Sequence, residues 1–145
     1  YLNAFQCKAL PSSYSQVLAA ADGNSVAAMV WDFQQPVQTV SNKPFYSRIV
    51  ANAPSAPVDM RVAGLKPGVY ALEIRRTGFR KNDAYSAYID MKAPESLNPA
   101  QLAQLQALTT DKPEVRKVTV GVNGKASVSL PMSSNDIVLV TLKPV

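Results

Sequence analysis

Apolar residues recur at every second position through much of the chain, and the places where this alternation starts, doubles or stops outline its elements. Val58, Met60 and Val62 point one way while Asp59, Arg61 and Ala63 point the other; further on, Tyr70, Leu72 and Ile74 oppose Ala71, Glu73 and Arg75. Both stretches predict strands with one covered face. Neighbouring strands whose apolar sets share a face must pair in an even register, so Val62 is expected opposite Leu72, with a loop around Lys66-Pro67-Gly68. The same arithmetic on "VTVGVNGKASVSL" predicts a bulged hairpin. Its loop is Val122-Asn123-Gly124, Val118 faces Val128, Val120 faces Ala126, and Gly124 takes a left-handed conformation.

Two segments lack a polar face. "VAAMVWDF", from Val26, and "DIVLVTL", from Asp136, are apolar on both sides apart from their aspartates, which is the pattern of strands covered on both faces and places Trp31 in the core. "SNKPFYSRIV" carries Pro44, which removes a ladder donor, and reads as a loop entering an irregular edge strand. Near the start, Leu2, Phe5 and Ala9 fall on one helical face that Pro11 ends, and Tyr14, Val17, Leu18 and Ala21 predict a second short turn before Asp22-Gly23-Asn24. The clearest helix covers about residues 98–109. Asn98 is its N-cap, Pro99 its first residue, Gln101 completes a capping box, and Leu97 is placed to staple onto Leu102. Leu102, Leu105 and Leu108 form its expected buried stripe.

Strands dominate and alternating βαβ units are absent. The predicted fold is mainly β: an antiparallel β-sandwich with one external helix at about 98–109 and a short N-terminal helix. A length of 145 residues with 47% apolar content suits one domain that buries enough surface to fold without a metal or disulfide.

The chain contains no histidine, which removes the Ser-His-Asp triad, the Cys-His dyad and imidazole-ligated metals together. No metal or other cofactor is expected. The lone Cys7 has neither a disulfide partner nor an activating histidine, and reads as a small apolar core residue compatible with cytosol or periplasm. A formal charge of +5 is spread along the chain rather than gathered into a stripe, so nucleic acid is not an expected partner. No apolar run has the length of a membrane-spanning helix, and residues 1–20 lack the pattern of a secretory leader, so the sequence is expected to begin inside a longer protein.

The exception to the scattered charge is "GLKPGVYALEIRRTGFRKNDAYSAYIDM", which starts as an amphipathic strand and then gathers Arg75, Arg76, Arg80 and Lys81 around Asn82-Asp83, Phe79, Tyr85 and Tyr88. Gly78 is expected to let "FRKNDAYSAY" leave the sheet as a loop, with its basic residues pointing outward near Asp83 and Asp90.

Taken with "YLNAFQCKAL", "VAAMVWDF", "NKPFY", "SLNPAQLAQLQAL" and "LPMSSNDIVLVTL", this block resembles the C-terminal part of glycoside hydrolase family 39, the β-xylosidase group, over nearly the whole chain. The resemblance implies a parent enzyme with a catalytic (β/α)₈ barrel followed by a β-sandwich accessory domain. Residues 1–23 would then be the remnant of the last barrel helix with a linker, and 24–145 the sandwich. Family members are retaining enzymes whose two glutamates lie roughly 5 Å apart across the scissile bond. The acid stands in an Asn-Glu-Pro context that none of Glu73, Glu95 and Glu114 shares, so no catalytic residue is carried over.

Three readings of Arg76, Phe79, Arg80, Asn82, Asp83, Tyr85 and Tyr88 stay open. They anchor their own loop through ion pairs and packing. They dock the barrel or another subunit, since aromatics and arginine dominate interface energetics. Or they reach the rim of the parent active site and touch sugar such as a xylo-oligosaccharide. The chain as a whole is expected to be a non-catalytic accessory domain, against the alternatives of an autonomous carbohydrate-binding module or an adhesion or assembly domain.

Overall fold

The computed structural model describes residues 8–9, 16–34, 49 and 51–145. Its strands are β1 (Lys8–Ala9), β2 (Val17–Asp22), β3 (Ser25–Trp31), β4 (Pro54–Val62), β5 (Gly68–Thr77), β6 (Glu114–Val120), β7 (Ala126–Ser133) and β8 (Ile137–Pro144); its helices are α1 (Ala84–Asp90) and α2 (Pro99–Ala107). A six-stranded sheet in the order β1-β2-β3-β8-β5-β6 faces a two-stranded sheet of β4 and β7, and all pairings are antiparallel. Val30, Tyr70, Leu72, Val138, Val140 and Leu142 from the larger sheet meet Val62, Val128, Leu130 and Met132 from the smaller one in a single core. Each such side chain contributes about 1.5–3 kcal/mol relative to exposure. The chain is the β-sandwich that its alternation predicts.

The faces were legible, but two pairings differ. Val62 lies opposite Ala126, and Leu72 lies between Leu142 and Arg116, so β4 and β5 belong to opposite sheets. Likewise β6 pairs with β5 while β7 pairs with β4, so "VTVGVNGKASVSL" crosses between sheets and is not a hairpin. A period of two specifies which side is covered; two strands stacked across the core satisfy it as well as two paired side by side. Gly124 does take the left-handed conformation, with φ 62°, and its carbonyl accepts the Leu65 N–H at 3.1 Å, pinning the crossing to the loop before β5.

At the N-terminal end, Val17–Asp22 is a strand rather than a helical turn. Asp22 and Ser25 pair across Gly23-Asn24, with Gly23 at φ 57°, and Val17, Ala19 and Ala21 continue the inner face opposite Val30, Ala28 and Val26. Lys8 and Ala9, expected in an N-terminal helix, pair with Ala21 and Ala20 as a further strand. The six-stranded sheet thus takes in residues well before position 24. Leu2, Phe5, Cys7, Pro11, Tyr14 and Pro44, on which the remaining expectations for these segments rest, lie outside the described residues. Trp31, expected in the core, shares the outer side of β3 with Ala27 and Met29 and is half-buried.

The capped helix forms as read. The Asn98 side chain accepts from Gln101 N at 2.9 Å, and Gln101 Oε1 accepts from Asn98 N at 3.0 Å. Its stripe is not covered, however: α2 has no buried residue and Leu102 is 46% exposed. A second helix, α1, stands where only a loop was expected.

Candidate functional site

Inward alternation along β5 runs Tyr70, Leu72, Ile74 and ends on Arg76, so the same geometry that fills the core delivers a guanidinium to its rim. Arg76 does not point outward with the other cations. Its Nη1 donates to Oδ2 of Asp136 at 2.6 Å; the two side chains are 16% and 1% exposed. Asp136 is set by the turn between β7 and β8, where Asn135 takes φ 64° and Oδ2 also accepts Ser133 N–H at 3.1 Å. Asp32 follows β3 into the same corner. Its backbone N–H donates to the Asp136 carbonyl at 3.1 Å, and its carboxylate accepts from the Ser55 hydroxyl and from Gln34 Nε2. These buried acids therefore tie the two sheets together.

Beyond β5 the chain reverses at Phe79-Arg80, closed by Gly78 and Lys81 exchanging backbone hydrogen bonds at 3.0 Å. Arg80 and Asn82 both take positive φ, 57° and 55°. The Arg80 guanidinium lies 5.3 Å from the Phe79 ring centroid and forks onto Asp90 at 2.7 and 3.2 Å. Asp83 caps α1: Oδ1 accepts Ser86 N–H, while Oδ2 accepts the Arg80 N–H and the Ser86 hydroxyl. This cap is what makes a helix of the expected loop, because it satisfies the orphan N–H groups of the first turn. Burial opposes ionisation of Asp83, yet bonds from the Ser86 hydroxyl and the backbone of Arg80, Ser86 and Tyr85 outweigh it and hold the carboxyl below its usual range. The Arg80 hydrogen bond lowers Asp90 in the same direction, and Asp90 in turn raises Arg80. Tyr88 donates its hydroxyl to the Pro94 carbonyl at 3.1 Å, tying α1 to the segment leading to α2, and Tyr85 stands partly exposed on α1.

The seven sequence-predicted residues thus fall into two groups. Phe79, Arg80, Asp83, Tyr85 and Tyr88 build the turn-and-helix unit. Arg76 and Asn82 line a cleft of ≈ 390 Å³ where α2 and the strand after it meet the sheet edge, together with Leu108, Asp111, Lys112 and Arg116. Asn82 Nδ2 donates to Asp111 Oδ1 at 3.3 Å, and Arg75 donates to the Asp111 carbonyl at 2.9 Å, so Asp111 is the hinge of this wall. Sequence reasoning set Asp136 at the start of an apolar strand and missed its buried partner; the signal was that aspartate opening a largely apolar run. Asp111 had no such signal, because its partners come from β5 and the turn after it. The chemistry on offer is anchoring and polar contact: the acids bordering the cleft, Asp111 and Glu114, are held by Arg75 and Arg116.

No protein-family model matches the chain, and no curated protein does. Solved structures do. A GH39 enzyme from Xanthomonas axonopodis pv. citri is 50% identical with a TM-score of 0.90, over 95% of this chain and 28% of that one. A monomeric β-xylosidase from Caulobacter crescentus CB15 is 46% identical with a TM-score of 0.88, over 94% and 28%. A GH39 β-xylosidase from Caulobacter crescentus is 38% identical with a TM-score of 0.66, over 94% and 24%. The chain spans little more than a quarter of the length of the first two of these enzymes. By sequence and fold together the chain is similar to a β-sandwich part of glycoside hydrolase family 39 enzymes.

Proposed function

We propose that the chain is the non-catalytic C-terminal accessory domain of a β-xylosidase-like retaining glycoside hydrolase, packing on a catalytic (β/α)₈ barrel of the same protein and stabilising it. The observation that carries this reading is the 50% identity over 95% of the chain against only 28% of the matching enzyme. The geometry agrees with it. Asp83 and Asp90 are held ionised by the partners that shape α1, Asp136 is locked onto Arg76, and Glu73 and Glu114 pair with arginines on their own strands. A retaining mechanism needs one carboxylic acid that keeps its proton and one free carboxylate across from it. On this reading β1 and β2, which pair into the six-stranded sheet, count with the sandwich rather than with a barrel remnant.

A second role rests on α2 and the cleft. A capped helix with exposed Leu102, followed by Leu108 at the cleft it shares with Asn82, fits a wall at the rim of the barrel's active site or a subunit contact. The deciding experiment reads the gene upstream of Tyr1. A barrel-encoding segment with two suitably placed glutamates is expected, and an unrelated domain would overturn the proposal. Titration of the chain with xylo-oligosaccharides, followed by Trp31 fluorescence, tests the alternative of an autonomous binding module; saturable binding by the isolated chain would favour that alternative.

A further inference from the structure

An antiparallel sheet with one solvated face alternates apolar and polar residues. On the outer face of the six-stranded sheet, β5 and β6 present Glu73, Arg75, Lys117 and Thr119, with Val69, Ala71 and Val115 among them. At one end of β2, β3 and β8 the outward residues are all apolar, and Thr141 and Lys143 follow them along β8. Leu18 pairs with Met29 and Met29 with Leu139, in one row across three strands. Trp31 pairs with Ile137 in the next row on the same face, and Ala20 and Ala27 continue it in the other direction. Leu18 is 64% exposed, Met29 39%, Ile137 48% and Leu139 36%. The patch is about 10 Å across the strands and about 14 Å along them, before side-chain width is added. Two strands apolar on both sides are a sheet's response to two covers, and the described residues supply only one.

We infer that this outer face of β2, β3 and β8 is the surface on which the catalytic barrel docks. The inference rests on the accessory-domain reading and adds the location of the contact. Three observations select the barrel as occupant. The matched enzymes carry more than twice as much chain outside this domain as inside it, which is ample to cover such a face. The strands that expose the patch lie toward the β1 edge, where a chain arriving from an N-terminal barrel joins the sheet. Arg75 and Thr77 of β5, opposite Leu139 and Ile137, bound the patch on the far side, as a polar rim bounds an apolar interface centre.

Hydroxyl-radical footprinting tests this, comparing the protein translated from the complete gene with the 145-residue chain and reading oxidation of Met29 and Trp31 by mass spectrometry. Buried Met132, 5% exposed, serves as the reference for a folded core in both samples. Met29 and Trp31 are expected to oxidise several-fold more slowly in the complete protein while Met132 is slow in both. Equal rates in a complete protein that contains a barrel would overturn the docking surface and leave the accessory-domain reading standing; a gene without a barrel would overturn both. Protection in the short chain that rises with its concentration would assign the face to a second copy instead. As an independent readout, Met29→Lys is expected to lower the melting temperature of the complete protein more than Thr119→Lys does, and equal shifts would contradict the inference.

Discussion

The carboxylate of Asp136 occupies the space that a side chain at residue 78 would need: a β-carbon added to Gly78 would lie 2.0 Å from Oδ1. Gly78 is required here for close approach rather than for a left-handed backbone. Gly78→Ala is expected to push the carboxylate off Arg76 and cost about 1–3 kcal/mol, as overpacking of a filled site does. An unchanged urea midpoint would contradict this placement.

The Arg76–Asp136 pair should behave as one unit. Arg76→Met leaves a carboxylate that is 1% exposed without its cation, and about 3–5 kcal/mol of stability should be lost. Adding Asp136→Leu removes the stranded charge and is expected to recover part of that loss. A double-mutant cycle with strictly additive losses would show that the two side chains are not coupled.

Acid should loosen the turn and α1 first. Asp83 and Asp90 both have folded-state pKa values below the ordinary 3.8. Their stabilising contributions are therefore complete above that value and are lost as pH falls through the folded values. Asp83→Ala is expected to cost about 1 kcal/mol at neutral pH through the lost cap. It should also reduce the fall in stability between about pH 5 and about pH 2, and an unaltered pH profile would count against the cap.

These expectations show what the sequence conveyed and where it stopped. Alternation placed Val62, Leu72, Val120 and Val128 on covered faces correctly, because period-two spacing is a local property. It could not say that Val62 meets Ala126, since strand partners are chosen by contacts distant in sequence. Asn98, Pro99 and Gln101 announced α2 because a capping box is written within four residues. Asp83 announced α1 less clearly: its helix is only seven residues long and its reciprocal partner at the third helical position is Ser86 rather than Glu or Gln. At the candidate site, Arg80 did meet Asp90 as its charge and spacing implied. Arg76 did not join them, because its place on the inward side of β5 outweighs its proximity in sequence. The leucines of α2 and the apolar outer side of β3 and β8 read as covered in the sequence, and nothing among the described residues covers them.

Helix α2 supplies a contrast within the chain. Leu130→Ala, deep between the sheets, is expected to cost about 2–5 kcal/mol. Leu102→Gln, on the exposed side of α2, should change stability of the 145-residue chain by no more than about 0.5 kcal/mol. A large loss for Leu102→Gln in thermal unfolding would mean that α2 is covered by the chain itself.

The proposed division of labour between a barrel and this sandwich is tested most directly by hydrolysis of an aryl β-xyloside, measured side by side for the complete gene product and the pure 145-residue chain. The complete protein should turn over substrate while the chain gives the uncatalysed rate. Turnover by the chain alone, abolished by replacing a single carboxylate, would contradict the account.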